Sequence, residues 1–590
     1  MHTVAHTATR HPNRTAPHAV TLLGPQPHTL QPVYSPAQLQ QWEQHWFDQG
    51  NSTFGLMQQA ALQVAQAVDR DFQAEGLPRH TPICVLVGTG NNGGDGWLTA
   101  LYLHQLGWNI TVYAAVDPTT EDSRRAQHMA REGEVTIVSL GRVMPEAVIY
   151  LDALFGLGLN RPAEGILAQL IQRINQRVEK GLSRVFAIDV PSGLSAGSGQ
   201  LFEPAFAAER TYCLIAHKIG LLTAMGPAWV GELTVLPLMP APVTLQPIAY
   251  LQDRVFPLPH RPKTAHKGSF GHVLVIGGAI GMTGAVLLSA EAALRCGAGK
   301  VTAVMRSTGI GPLIARNPGI MTLSLPFQES EDQYLAGAGE QDFFGSASTV
   351  DEREVQRQTR LSDLLREATT IIVGPGMGRS AAGEQLLNWL LPRMLSRGQS
   401  IRVVMDADAL YHMAELPDFP SAESVAHWIF TPHPGEAARL LGCSISDVEN
   451  DRYHAVLNLQ LRYGGRWVLK GAGSLVMDEW NRQGDTAETD LWQDAEEPVS
   501  PASTALTICG LGNPGMATAG MGDVLAGVIA GVIAQFPDYP LAETVALHAA
   551  AGDRAAVTVG EHGLTASDVI EQLADVMRCG SLGNCDWPSC

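Results

Sequence analysis

A chain of 590 residues is too long for a single hydrophobic core, so at least two domains are expected. Its 45% hydrophobic and 16% charged content excludes a disordered chain, and its net charge of −19 argues against a nucleic-acid or anionic-membrane surface. No apolar run of roughly 18 residues suggests a membrane span, and MHTVAHTATRHPNRTAPHAV lacks the apolar segment of a secretion signal.

The first 33 residues read as a flexible His/Pro/Thr-rich extension; its His2, His6, His11 and His18 could bind metal, but disorder is the expectation. Five cysteines (Cys84, Cys213, Cys296, Cys443 and Cys509) are scattered, mostly beside apolar runs. Cys579, Cys585 and Cys590 crowd the tail at spacings that match no common zinc site. A reducing cytoplasm with free thiols fits this usage.

From about 82 to 236, apolar strands (ICVLV, NITVYAAV, AVIYLD, RVFAID, TYCLIA, ELTVLPL) alternate with helical patterns near 121–132 and 164–178. Such alternation predicts a parallel sheet covered on both faces. The proline-rich PLMPAPVTLQP then reads as a linker. Alternation restarts with HVLVIGG, KVTAVMR, TTIIVG, IRVVMD, HWIFTP and RWVLKG, while the polar stretch 327–360 reads as a surface insertion. The division expected is an extension over 1–33, domains over 34–245 and 246–580, and a tail over 581–590.

Ligands of open parallel sheets sit beyond the carboxyl ends of the strands, near the switch point. In the first half the polar residues there are Asn91, Asn92 and Asp95 in GTGNNGGDG, Asp152 in YLDALFGLGLNRP, and Asp189 with Ser192 in AIDVPSGL. A dehydrogenase would grip a pyrophosphate with GxGxxG, but a carboxylate among those donors would repel it. Carboxylate, amide and hydroxyl oxygens without His or Cys suit a hard cation, either monovalent or magnesium.

In the second half, GNPGMATAGMGDVLAGVIA leads glycines into an apolar helix with Asp523 at its start. Freed N–H groups there can hold an anion, and the aspartate can accept the proton of a hydroxyl attacking phosphate. The glycine loop KGAGS follows a strand, and TPHPGE places His433 at a strand end.

GTGNNGGDG, LDALFGLGLNRP and AIDVPSGL together resemble the epimerase domain of NAD(P)H-hydrate repair enzymes, over about 35–245. The second half, with HKGSFGHVLVIGGAIGMTGA, TPHPGE, KGAGS and GMGD in order, resembles their dehydratase domain over about 255–578. The resemblance implies an α/β protein with an N-terminal Rossmann-like three-layer sandwich and a C-terminal ribokinase-like domain. It implies a potassium ion on Asn92, Asp152 and Ser192. The hydrated nicotinamide nucleotide would lie on Asn91, Asn92, Gly93, Gly94 and Asp95, and on Gly156, Leu157, Gly158, Leu159, Asn160, Arg161 and Pro162. Asp189 would be catalytic. In the second half it implies hydrate binding by Ala285, Gly376 and His433. Nucleotide would bind on Lys470, Gly471, Ala472, Gly473, Ser474 and Gly522, and Asp523 would be catalytic at the substrate hydroxyl. ADP, or ATP, would be the phosphoryl donor, with magnesium. Ala519 departs from the family run, which has glycine there.

The activity implied is epimerisation of hydrated NADH and NADPH followed by dehydration of the S form. The competing reading is a ribokinase-like kinase of a small alcohol or vitamin precursor fused to a nucleotide-binding scaffold. The partners expected are these small molecules, with no nucleic acid or membrane, in a homo-oligomer.

Overall fold

The computed structural model describes residues 30–139, 143–325, 352–478 and 506–582. The chain forms two compact units, 1–250 and 251–590.

The first unit holds β1 (Gln31–Tyr34), β2 (Pro82–Val87), β3 (Asn109–Ala114), β4 (Thr136–Ser139), β5 (Ile149–Ala153), β6 (Arg184–Ile188), β7 (Arg210–Leu214), β8 (His217–Lys218) and β9 (Glu232–Leu236). Seven of these form one sheet in the order β4-β3-β2-β5-β6-β7-β9. Every pairing in it is parallel. Apolar strands follow from burial on both faces: Ile83, Cys84, Val85, Leu86 and Val87 are all within 1% of full burial. The helices Thr53–Ala74 and Asn91–Gln105 cover one face, and Gly165–Glu179 places Leu170, Ile171 and Ile174 in the cluster on the other. The order reverses between β2 and β5, so their carboxyl ends open the crevice in which such sheets bind ligands.

Two expectations need adjusting here. The extension expected over 1–33 ends sooner, because Gln31–Tyr34 is a strand paired in parallel with β8, and Val33 is fully buried. PLMPAPVTLQP is not a free tether. Its carbonyls at Pro237, Leu238 and Pro240 accept hydrogen bonds from the side chains of Gln63, Gln59 and Trp42. Prolines cannot donate to a ladder, but their carbonyls remain good acceptors.

The strand β10 (Ala249–Gln252) spans the division. The second unit holds β11 (His272–Ile276), β12 (Lys300–Met305), β13 (Met321–Ser324), β14 (Thr370–Val373), β15 (Arg402–Met405), β16 (Ile429–Phe430), β17 (Arg466–Leu469), β18 (Ser474–Met477) and β19 (Leu506–Cys509). Their order is β13-β12-β11-β14-β15-β16-β17-β18-β19. Pairing is parallel from β13 to β17 and antiparallel through β18 and β19, a departure from the expected strand–helix alternation. The helix Met521–Ile533 packs on the sheet and against Thr283–Arg295. Its Gly527 lets the backbones close, since a Cβ there would lie 2.3 Å from the Ser289 carbonyl oxygen. The switch point falls between β11 and β14. Most of the expected insertion lies outside the described residues, but its end belongs to the helix Glu352–Glu367.

Candidate active sites

At the first mouth, GTGNNGGDG turns from β2 into the helix Asn91–Gln105. Backbone approach explains its glycines: a Cβ on Gly88 would lie 1.8 Å from the Leu154 carbonyl oxygen, and one on Gly93 would lie 2.1 Å from that of Gly88. The turn brings Asn92 to the ends of β5 and β6, where its Nδ2 donates to the carbonyls of Phe155 (2.7 Å) and Ile188 (3.2 Å). Its Oδ1 is buried and accepts no hydrogen bond.

Asp152, fully buried at the end of β5, accepts from Ser192 Oγ and N, both at 2.7 Å, and from Leu154 N at 3.1 Å. Burial pushes its carboxyl up to about 6 against these hydrogen bonds. Ser192 Oγ also accepts from Phe155 N at 3.1 Å. Asn92, Asp152 and Ser192 therefore meet around Phe155. Gly156 lies against Asn92, where a Cβ would come within 3.2 Å of the Asn92 Cβ. Gly93, Gly94 and Asp95 are buried, whereas Asn91, Gly158, Asn160, Arg161 and Pro162 are exposed and Leu157 and Leu159 partly so.

Asp189 follows β6 in a left-handed conformation (φ 69), which Asp tolerates better than most residues. Its Oδ1 accepts from Leu214 N at 3.0 Å and lies 2.7 Å from the ammonium of Lys218. Burial, then the charge of Asp189, pushes Glu43 up to about 7. The same two causes, then Glu43, hold Asp95 well above the usual carboxylate range.

The second mouth is a cleft of about 400 Å³ lined by Asp406, His433, Glu436, Lys470, Gly522 and Asp523 with their neighbours. His433 caps the helix Pro434–Leu441, and its Nδ1 accepts from the N–H groups of Gly435 (3.0 Å) and Glu436 (3.3 Å). Burial, then Lys470, lowers its pKa; with Nδ1 accepting, the neutral ring carries its proton on Nε2, 3.4 Å from Glu436 Oε1 at the cleft.

Lys470 follows β17, with its ammonium 2.8 Å from Asp406 Oδ1 and 3.8 Å from Glu436. Burial disfavours its charge, but Asp406 and Glu436 outweigh that and raise its pKa. Thr431 Oγ1 donates to the same Asp406 oxygen at 2.8 Å. The fully buried Arg452 donates to the carbonyls of Leu469 (3.1 Å) and Lys470 (3.0 Å), which fixes the start of KGAGS. Ser474 Oγ closes that loop onto the Gly471 carbonyl at 2.9 Å. Of the loop, Lys470 and Gly471 line the cleft, and Ala472, Gly473 and Ser474 do not.

Asp523 stands in the first turn of Met521–Ile533. It makes no cap: the N-cap is Gly520, with φ 90 and no side-chain hydrogen bond. Burial, then Asp406, pushes the Asp523 carboxyl up to about 7, despite the lowering effect of Lys470. A Cβ on Gly522 would sit 3.2 Å from Lys470 Nζ, which leaves open backbone N–H groups beside the ammonium. Gly520 carries the left-handed turn and Ala519 does not, so alanine in place of the family glycine imposes no strain. Ala285 and Gly376 meet across the switch point, where a Cβ on Gly376 would approach that of Ala285 to 3.2 Å.

Lys218, Glu43, Asp406, Glu436 and Arg452 were not among the expected site residues. Asp406 ends IRVVMD and so carried the strand-end signal used for the others, whereas Glu436 stands in the first turn of the helix Pro434–Leu441. Lys218 stands on a strand of two residues, too short for any periodicity.

Residues 273–575 match the family model described as NAD(P)H-hydrate dehydratase, and residues 53–220 match YjeF-related protein N-terminus. The bifunctional NAD(P)H-hydrate repair enzyme of Coxiella burnetii is 35% identical over 92% of this chain and 98% of its own length. That of Escherichia coli is 33% identical over 88% of each chain. Among solved structures, the ADP/ATP-dependent NAD(P)H-hydrate dehydratase from Bacillus subtilis is 21% identical (TM-score 0.40), covering 55% of this chain and 95% of that one. With both halves matched in order and two relatives aligned over most of its length, the chain belongs to the family of bifunctional NAD(P)H-hydrate repair enzymes.

Proposed function

We propose that the first mouth interconverts the R and S hydrates of NADH and NADPH, and that the second dehydrates the S form at the expense of ADP. Water adds to the dihydropyridine at the carbon beside the ring nitrogen. Inverting that carbon requires its C–O bond to break and re-form on the other face, with the nitrogen lone pair stabilising the cationic ring between. Asp189 supplies the negative charge beside that ring. The buried, unpartnered Oδ1 of Asn92, beside the Phe155 and Ile188 carbonyls and the Asp152 carboxylate, supports a potassium site on Asn92, Asp152 and Ser192. The ion would supply fixed positive charge beside the substrate.

In the second mouth, Asp523 accepts the hydroxyl proton as that oxygen attacks the β-phosphorus of ADP and AMP departs. The C–O bond then breaks, phosphate leaves with the electron pair, and loss of a proton from the adjacent carbon restores the double bond. The observation that carries this reading is the Asp523 carboxyl, raised to about 7 beside the Lys470 ammonium at a helix start. His433 Nε2–H, Ala285 and Gly376 would hold the hydrate. Lys470, Gly471, Ala472, Gly473, Ser474 and Gly522 would hold the nucleotide. Among the described residues no cluster of His, Cys, Asp and Glu forms a metal cage, so magnesium would be held chiefly by nucleotide phosphates.

The test is to add hydrated NADH, ADP and magnesium and follow dihydronicotinamide absorbance. Its return with release of AMP and phosphate is expected. A stable phosphoester in place of NADH would make the second unit a kinase of a small alcohol.

A further inference from the structure

Resting on the reading of Asp189 as the catalytic group of the first mouth, we propose that Lys218 is its positioning residue. The buried ammonium pins one carboxylate oxygen, Oδ1, and leaves Oδ2 as the oxygen that meets the substrate ring.

The donor count carries the proposal. An ammonium has three N–H donors and no acceptor. Lys218 is 1% exposed, and its Nζ lies 2.7 Å from Asp189 Oδ1, 2.8 Å from the Leu214 carbonyl oxygen and 3.3 Å from Cys213 Sγ, with the Ala216 carbonyl at 3.5 Å. Every donor is spent on the protein, so Lys218 has none to offer a substrate and acts through Asp189. Asp189 Oδ1 receives the Leu214 N–H as well, while Oδ2 accepts no hydrogen bond among the described residues. The carboxylate is thus held asymmetrically, with one oxygen committed and the other open.

The backbone supports the same assignment. Asp189 is held in its left-handed conformation by a hydrogen bond from its N–H to the Tyr212 carbonyl at 2.8 Å. Lys218 is held by parallel pairing of β8 with β1, Tyr34 facing Lys218. Two short strands from distant parts of the chain therefore set the reach of the ammonium. Its electrostatic neighbours are Asp189, Cys213 on β7 and Glu43 on the helix Pro36–Asp48; Asp189 and Glu43 act in turn on Asp95 of the helix Asn91–Gln105. Asp189 is the one carboxylate of this group in contact with the ammonium.

The test compares Lys218→Met, Lys218→Arg, Asp189→Asn and the double variant Asp189→Asn/Lys218→Met in the full chain. Dehydration of the S hydrate serves as an internal control. Lys218→Met should lower the kcat of epimerisation on the order of 10²-fold with KM little changed. Lys218→Arg should recover part of that loss. The double variant guards against simple misfolding, because it replaces the ion pair with a neutral one. If Lys218 works through Asp189, the double variant epimerises no more slowly than Asp189→Asn. A further tenfold fall there, or a parental kcat for epimerisation in Lys218→Met, overturns the inference. Parental epimerisation by Asp189→Asn would overturn the underlying assignment of Asp189 instead.

Discussion

Asp523→Asn tests the second mouth most directly, because the structure separates its effect on turnover from its effect on stability. The carboxyl is raised from 3.8 to about 7, first by burial and then by Asp406. A raised carboxyl binds its proton more tightly in the folded chain than in the unfolded one. The cost to the fold is therefore small near pH 4, grows as pH rises, and is fully present above about 7. A shift of about three units corresponds to a ceiling of about 4 kcal/mol. Asp523 is only part-buried, so the realised cost is on the order of 1–2 kcal/mol. Asparagine carries no charge and removes it.

The variant should thus melt higher than the parent at pH 8 and close to it near pH 4.5. Dehydration should fall by at least about 10²-fold at pH 8. ADP affinity should change little. The parent's rate should drop about tenfold per unit below pH 7, and the variant's residual rate should lack that limb. Calorimetry and NADH absorbance on the same preparations suffice. A helix cap would behave in the opposite way, losing about 1 kcal/mol with normal turnover. That outcome, or a variant that retains the limb near pH 7, refutes the assignment of Asp523 as the base.

Asp189→Asn should cut epimerisation about 10²–10⁴-fold and leave dehydration of the S form intact, as read by the rate at which R hydrate becomes available to the second mouth. Asp152→Ala should abolish the response of epimerisation to potassium against a sodium control, again sparing dehydration; joint loss of both activities in a folded protein would contradict separate sites. Gly88→Ala should destabilise the first unit by about 1–3 kcal/mol and lose epimerisation, because its methyl would overlap the Leu154 carbonyl, 1.8 Å from the Cβ position. A normal melting temperature with normal epimerisation would show that the loop relaxes.

What could be read from the sequence follows from how local each constraint is. Gly93 and Gly520 are required by backbone approach or a positive φ within a few residues of the motif, so the motif itself reports them, whereas Gly88 is required by the distant Leu154 carbonyl. Asp152, Asp189 and Asp406 end apolar strands, and a strand's end marks the mouth whatever the strand order. Lys218 escapes for the converse reason. Its partner is Asp189, and the pairing depends on β7 following β6 in the sheet and on a two-residue strand set by β1. Arg452 escapes too: a buried arginine on an amphipathic helix looks like a solvated one until the Leu469 and Lys470 carbonyls are placed beside it. No helix separates β17 from the antiparallel β18, so a reading tuned to strand–helix alternation passes over it.

The two mouths reach a similar electrostatic arrangement by different folds. In each, one lysine lies closest to one aspartate: the buried Lys218 to Asp189 at 2.7 Å and the part-buried Lys470 to Asp406 at 2.8 Å. A single ammonium cannot compensate every carboxylate around it. The partner in contact takes most of the benefit, because the attraction falls with distance and the surroundings exclude water. The remaining carboxylates feel burial and the repulsion of the ionised partner, and Glu43 and Asp523 are both pushed up to about 7. Each mouth thus sets an aspartate in contact with a lysine beside a carboxyl raised to about 7. Such a contrast of environments is what proton transfer at a hydroxyl requires. The backbone is bent to the same end, with left-handed φ at Asp189 itself and at Ala407 beside Asp406. Both residues stand within two positions of a sheet strand's end, where the rigid ladder can hold a conformation that a free loop would relax.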